Sequence, residues 1–136
     1  MPRVTVTRRV HFNAAHRLHN PAWSAERNQK VFGACSNPNY HGHNYELDVS
    51  VEGEADAETG YVVDMRVVKR IVEERVVDYL DHKNLNLDVS EFRELNPTTE
   101  NLVLMIWDRL DGHLPGRLAR LVLWETPRSC VEYSGE

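Results

Sequence analysis

The sequence lacks the features that mark membrane, exported and nucleic-acid-binding proteins. Its 136 residues include two cysteines, too few for a disulfide framework, so we interpret Cys35 and Cys130 as thiols in a reducing cytoplasm. No apolar run approaches a membrane span and the N-terminus has no apolar signal core, so we expect a cytoplasmic protein. The net charge of -5 and the lack of a basic stripe argue against a nucleic-acid partner.

The remaining composition is that of a globular protein, with 41% hydrophobic and 27% charged residues and no repeat or linker. We therefore predict one domain over residues 1–136. Apolar alternation predicts strands, and i, i+3, i+4 apolar spacing predicts helices. The order ββααββ predicts an α+β fold, an antiparallel four-stranded sheet with two helices on one face. The predicted strands span residues 4–16, 41–51, 118–124 and 130–133, the helices span 64–80 and 97–112, and irregular loops span 18–40 and 81–97.

His41-Gly42-His43, at the start of the second predicted strand, is the strongest local motif. Residues i and i+2 of an extended chain face the same side, so both imidazoles can reach one ion. His16 ends the first predicted strand and can join them if the two strands pair. Three histidines with an open fourth position are typical of catalytic rather than structural zinc. An H-x-H pair alone also occurs by chance among ordinary surface or core histidines.

Three other polar positions have chemical potential. Cys35 lies six residues before His41 and can be a base or nucleophile, or a fourth zinc ligand. Asp81-His82 is a natural proton-transfer pair, although a histidine after a helix is also favoured by the helix dipole. Glu125 ends an apolar strand and can receive an N–H-rich heterocycle or be solvated. We expect the remaining histidines and cysteine to be structural: His11, His19, His113 and Cys130.

Five segments together resemble the 6-pyruvoyl-tetrahydropterin synthases, and they run from the first strand to the last. They are FNAAHRL from Phe12, FGACSNPNYHGHNY from Phe32, LDHKNLN from Leu80, PTTEN from Pro97 and WET from Trp124. The resemblance implies the tunnelling fold, in which a four-stranded antiparallel sheet and two helices assemble as a homohexamer from two trimers. It places the active sites at subunit interfaces.

The resemblance also implies residue roles and a reaction. The substrate is 7,8-dihydroneopterin triphosphate, from which a lyase eliminates triphosphate with an internal redox shift and without a redox cofactor. Zn²⁺ is bound by His16, His41 and His43; Cys35 is the base, and a neighbouring subunit's Asp81 and His82 complete the proton relay. Glu125 anchors the pterin, helped by Thr98, Thr99 and Glu100.

Other activities are compatible with parts of this pattern. The 6-carboxytetrahydropterin synthases of queuosine biosynthesis share the substrate, zinc and fold, but only three residues usually lie between their cysteine and the H-G-H. Here five residues intervene, which favours the pyruvoyl product of tetrahydrobiopterin biosynthesis. Ala34 and Tyr40 depart from the lysine and glycine common in the family. A cupin-like metal oxygenase also carries H-x-H, but two long helices argue against it; a non-catalytic metal-binding hexamer is a further alternative.

Triphosphate ligands are suggested only by charge: Arg17, Arg27, Lys30 and Arg128.

Overall fold

A computed structural model describes residues 2–136 as one sheet with helices packed against one of its faces. The sheet has five strands in the order β3-β1-β2-β4-β5. The strands are β1 (Arg3–His16), β2 (His41–Glu54), β3 (Lys83–Asn84), β4 (Arg117–Thr126) and β5 (Ser129–Tyr133). The helices are α1 (Ala25–Phe32), α2 (Met65–Val72), α3 (Asp78–Leu80), α4 (Leu85–Asp88) and α5 (Thr99–Leu110). No helix in this part of the chain is both long and apolar enough to cross a membrane.

The predicted four-stranded antiparallel sheet is wrong in strand number and in orientation. The four predicted strands form and pair antiparallel, but β3 is a fifth strand, parallel to β1 at Ala14 and Ala15. A two-residue strand has no alternation for a sequence pattern to detect. Specific hydrogen bonds hold it in place: the His82 amide donates to the Asn13 carbonyl at 2.6 Å, and the Asn13 amide donates to Asp81 at 2.8 Å.

The first predicted helix forms over residues 65–80 but changes its winding. Asp64 caps it, since the carboxylate accepts a hydrogen bond from the Arg66 amide. Between α2 and α3, Glu73–Val77 forms one π-helical turn, which is not visible in a 3.6-residue periodicity. Beside it, Arg75 and Arg109 each donate from Nε to the other's backbone carbonyl at 2.6 Å. These two bonds tie the π-helical turn to the end of α5.

The second predicted helix is also confirmed. Thr98 caps α5, its hydroxyl accepting a hydrogen bond from the Asn101 amide. The apolar face of α5 and that of α2 cover one face of the sheet, where Phe12, Tyr45 and Leu47 are fully buried. The other face is polar and carries ion pairs such as Arg9 to Asp48 at 2.7 Å.

The predicted irregular loops contain short elements. Residues 18–40 include α1 and a 3-10 turn, Gly33–Ser36, while residues 81–97 include β3, α4 and a second 3-10 turn, Ser90–Phe92. The only residue of α1 that is buried is Asn28, so this helix has no apolar stripe. It is held instead by the Ser24 cap and by the Asn28 side chain, which donates to the Asn20 carbonyl at 3.0 Å.

Candidate metal centre and active site

The pairing of β1 with β2 brings the three predicted histidine ligands together. His16 is directly opposite His41, and Ala14 is opposite His43, so all three imidazoles lie on the covered face at the strand ends. Their ring centroids are 4.6, 5.0 and 4.9 Å apart. One nitrogen from each ring can be chosen so that all three lie within 4.8 Å of one another. We call His16, His41 and His43 the histidine triad.

Hydrogen bonding and burial prepare the triad for a cation. His16 is fully buried, and its Nδ1 donates to the Pro97 carbonyl at 2.9 Å, which leaves the Nε2 lone pair free. That Nε2 is 3.0 Å from Nε2 of His41. Burial lowers the pKa of both His16 and His43, which favours the neutral imidazole that binds metal. His43 Nε2 is buried without a hydrogen-bond partner among residues 2–136. Three such nitrogens fit a divalent transition metal.

Cys35 lies in the 3-10 turn that follows α1. The Leu18 amide donates to the Cys35 carbonyl at 2.7 Å, and Arg17 Nε donates to the Ser36 carbonyl at 2.9 Å, so the turn is fixed to the residues that follow His16. The half-buried thiol is not among the ligand atoms that cluster within 4.8 Å. Burial, and then the Glu125 carboxylate, raise the pKa of the Cys35 thiol. A cation at the triad would act in the opposite direction.

Glu125 links the triad to the surrounding cavities. Thr99 Oγ1 donates to one carboxylate oxygen at 2.6 Å, and the other carboxylate oxygen is 3.7 Å from His43 Nε2. Glu125 and His43 line a cavity of about 460 Å³. Glu125 also lines a second cavity of about 330 Å³, together with Thr98, Thr99, Glu100 and Cys130. The structure therefore brings Thr98, Thr99 and Glu100 to a cavity that Glu125 also lines, and their role in substrate binding stays a prediction; Cys130, which was expected to be structural, lines the same cavity.

Asp81 and His82 lie just before β3, at the edge of β1 that pairs with β3. Asp81 Oδ2 is 2.9 Å from His82 Nδ1, and the His82 side chain is 82% exposed. His82 has a φ of 60°, in the left-handed region. The hydrogen bond from the Asn13 amide, and then the interaction with His82, lower the pKa of Asp81. No described hydrogen bond or ion pair connects this pair to Cys35 within residues 2–136. We call Asp81 and His82 the edge dyad.

Comparisons with known proteins identify the family to which this chain belongs. The family model described as 6-pyruvoyl tetrahydropterin synthase matches residues 5–136. The chain belongs to this family. It is 48% identical to the 6-pyruvoyl tetrahydrobiopterin synthase of Pongo abelii, over 96% of this chain and 91% of that protein. The solved structure of the Caenorhabditis elegans 6-pyruvoyl tetrahydropterin synthase superposes with a TM-score of 0.93 at 38% identity, covering 100% of this chain and 98% of that one. A 6-carboxy-5,6,7,8-tetrahydropterin synthase of Haemophilus influenzae is 29% identical, over 74% of this chain and 84% of that protein.

Two groups near the triad could not be identified as site groups from the sequence. The Pro97 carbonyl orients His16, but a backbone acceptor leaves no side-chain signal. The Tyr45 hydroxyl is buried beside His43 without a hydrogen-bond partner among the residues described. Its position on the covered face was visible from its two-residue spacing to His43, yet that spacing alone predicted only a core residue.

The cations suggested by charge are distributed over several environments. Arg17 is held by the Ser36 carbonyl, and the Arg27 guanidinium stacks over the Trp23 ring at 3.9 Å. Lys30 and Arg128 are exposed. The positions of these four side chains therefore do not single out a triphosphate site.

Proposed function

We propose that this chain is a zinc-dependent carbon–oxygen lyase that converts 7,8-dihydroneopterin triphosphate to 6-pyruvoyl-tetrahydropterin. Membership of the family supports the reaction. The observation that carries the proposal is the short distance between a group that can bind a pterin and a group that can bind a metal. An oxygen of Glu125 lies 3.7 Å from Nε2 of His43. A metal centre and an acceptor for a nitrogen heterocycle thus border one cavity. Zinc suits three imidazoles with an open position.

The triad would hold the zinc ion through His16, His41 and His43. When bound, zinc polarises side-chain oxygens of the substrate and so acidifies the neighbouring C–H bond. Cys35 would take that proton as a thiolate, since its half-buried side chain lies outside the ligand group but in a turn fixed to the residues that follow His16, where the bound cation would favour the ionised form. The side chain is oxidised as the pterin ring is reduced, so the balance needs no external redox cofactor.

Glu125 would anchor the pterin ring. Its two oxygens suit the paired N–H donors of such a ring, and the Thr99 hydroxyl holds one of these oxygens in place at 2.6 Å. Thr98 assists by capping the helix that carries Thr99, and Glu100 lies at the rim of the same cavity. The pterin end of the substrate would then lie at Glu125, with the substrate side chain extending toward the triad.

The edge dyad would serve the site of a neighbouring copy. Asp81 occupies His82 Nδ1, which leaves Nε2 for proton transfer, and the exposed imidazole is accessible from outside its own chain. Both margins of the sheet can pair further, since β3 covers β1 only at Ala14 and Ala15 and β5 is the terminal strand on the other side. We propose a homohexamer, a dimer of trimers with active sites at subunit interfaces. A reducing cytoplasm, which keeps Cys35 a thiol, is the compartment we propose.

Product analysis tests the proposal directly. The zinc-loaded protein is incubated with 7,8-dihydroneopterin triphosphate, and the products are identified by mass spectrometry. We expect a pyruvoyl pterin together with inorganic triphosphate. A carboxy pterin with acetaldehyde would instead assign the 6-carboxytetrahydropterin synthase activity. Turnover that requires iron and oxygen would contradict a zinc lyase, and the family membership already argues against the cupin-like alternative.

A further inference from the structure

The peptide group between Pro97 and Thr98 connects the metal centre to the first turn of α5. Its carbonyl end accepts the hydrogen bond from His16 Nδ1 at 2.9 Å, and its amide end donates to the Asn96 carbonyl at 2.8 Å. This peptide is trans and planar, so its N–H and C=O point in opposite directions. Whatever holds the amide end therefore also sets the direction of the carbonyl that faces His16.

Asn101 holds the acceptor of that amide. Its Nδ2 donates at 2.8 Å to the Asn96 carbonyl, the same oxygen that accepts from the Thr98 amide. Residues 96–98 thus form a three-residue turn that is closed by a hydrogen bond between residues i and i+2. Pro97 is the central residue of the turn, and its ring fixes φ there. The turn itself has one closing bond, and Asn101 fixes the oxygen on which that bond ends.

The position of Asn101 in the helix makes this contact possible. Thr98 is the N-cap of α5, and the amide of Asn101, three residues later, donates to Thr98 Oγ1 at 3.1 Å. In a capping box, the side chain at this position reaches back and accepts from the amide of the N-cap residue. The Asn101 side chain also reaches back, but it donates to the carbonyl that the Thr98 amide contacts. The start of the helix thus fixes the backbone that precedes it.

The same turn is bonded to the chain that follows the buried histidine ligand. The His19 amide donates to Asn96 Oδ1 at 3.2 Å, so Asn96 is held through both its side chain and its carbonyl. Pro97 and His16 are both buried. Because a buried N–H without an acceptor is costly, the His16 proton should stay on Nδ1 as long as the Pro97 carbonyl faces that nitrogen.

We propose that Asn101 is a positioning residue of the metal centre, which through the Asn96 carbonyl aims the Pro97 carbonyl at His16 and keeps the His16 proton on Nδ1. A carbonyl can only accept, so the nitrogen that faces it carries the proton, and Nε2 keeps its lone pair. That Nε2 lies 3.0 Å from Nε2 of His41 in the triad. A group that fixes the tautomer of a ligand raises the affinity of the site for its metal. This inference rests on the proposed zinc site, of which Asn101 is not itself a ligand.

The test is Asn101→Asp, which keeps the shape of the side chain but replaces the donating NH2 group by an oxygen. Asn101→Ala removes the amide altogether and serves as a second variant if the carboxylate disturbs folding. The matched control is Asn28→Asp, since Asn28 is 6% exposed and also donates from Nδ2 to a backbone carbonyl, that of Asn20, at 3.0 Å. Chelator competition measures the zinc dissociation constant. Nitrogen NMR of the imidazoles in zinc-depleted protein reports the tautomer of His16, with His16→Gln to assign its signals.

The original protein and Asn28→Asp should both carry the His16 proton on Nδ1. In the two Asn101 variants, we expect the proton to distribute between both ring nitrogens. Their zinc dissociation constants should rise about 10-fold, the lower end of the range for groups that bond directly to a metal ligand. Asn28→Asp should lower the melting temperature without changing the zinc dissociation constant.

Two results would overturn the inference. If both Asn101 variants keep the His16 proton on Nδ1, the Pro97 carbonyl is held without Asn101. An equal loss of zinc affinity in Asn28→Asp would show that lower stability, rather than positioning, weakens the site. If the original protein binds no zinc, the proposed function fails, whereas the comparison of tautomers still decides whether Asn101 orients His16.

Discussion

The histidine triad and the edge dyad are both built around histidine, but they are placed in opposite ways. The triad lies on the covered face, with His16 fully buried and its rings within about 5 Å of one another. The edge dyad stands on the margin of β1, with the His82 side chain 82% exposed. Each group is internally ordered, the triad through the Pro97 carbonyl and the dyad through the Asn13 amide.

This difference indicates what each group needs from outside the chain. The triad converges on a point that a cation can occupy, so one chain suffices to build it. No described hydrogen bond or ion pair joins the dyad to the triad or to Cys35 within residues 2–136, and the His82 side chain faces solvent. In the proposed assembly, a second copy would place its dyad beside the triad and Cys35 of the first.

The largest effect should come from breaking the triad. We expect His41→Ala to lose bound zinc and to show no detectable turnover, because two imidazoles no longer hold the ion against competing chelators. His113→Ala, an exposed histidine outside the site, is the control. Zinc content by elemental analysis and turnover are measured on both. Full zinc occupancy in His41→Ala would mean that the ligand set is wrong.

Breaking the dyad should leave the metal in place and still slow the reaction. We expect His82→Ala to retain zinc and to lose turnover about 100-fold or more, as for the loss of a general acid or base. Cys35→Ala should also be nearly inactive. If the dyad acts on a neighbouring copy, mixed oligomers of the two variants contain interfaces that pair an intact Cys35 with an intact His82.

Subunit mixing therefore tests whether the dyad of one copy acts at the triad and Cys35 of another. Activity should reappear when Cys35→Ala and His82→Ala chains are exchanged, with native mass spectrometry to verify that the oligomers are mixed. Each variant mixed with itself is the control and should stay inactive. Mixed oligomers without restored activity would place the dyad and Cys35 in the same chain's site.

The triad could be predicted from sequence because its geometry follows from strand parity. His41 and His43 share a face, and pairing His16 opposite His41 required only that β1 and β2 be neighbouring antiparallel strands. The helices over residues 65–80 and at Thr99–Leu110 were predictable in the same way, from apolar stripes and capping residues. The triad and both helices were predictable because each depends on a regular spacing of residues along a strand or a helix.

The remaining features have no periodic signal. Helix α1 buries only Asn28, β3 is two residues long, and a single π-helical turn shifts the register of residues 73–77. The Pro97 carbonyl and the unpartnered Tyr45 hydroxyl depend on tertiary contacts. The position of the edge dyad beside Asn13 also could not be read from residue types, because it depends on where residues 81–84 join the sheet.

The smallest expected effect is a difference between the triad and the dyad in how they change protein stability with pH. In zinc-depleted protein, burial lowers the pKa of His16 and His43 below the ordinary 6.5, so the unfolded chain binds more protons than the folded one below that pH. The free energy of unfolding should therefore fall as the pH drops below 6.5. Asp81 has a pKa lowered from 3.8, so its stabilising contribution is lost only in far stronger acid.

Urea unfolding of the zinc-depleted protein between about pH 7.5 and 5 measures how much the triad contributes to the pH dependence of the free energy of unfolding. His19 also has a lowered pKa and contributes in the same direction, so the original protein alone does not isolate the triad. His43→Gln removes one titrating group from the triad and should flatten the pH dependence, whereas Asp81→Asn should leave it unchanged over this range. An equally steep dependence in His43→Gln would show that the buried imidazole does not resist protonation, and the contrast between a desolvated triad and a solvated dyad would then lose its electrostatic basis.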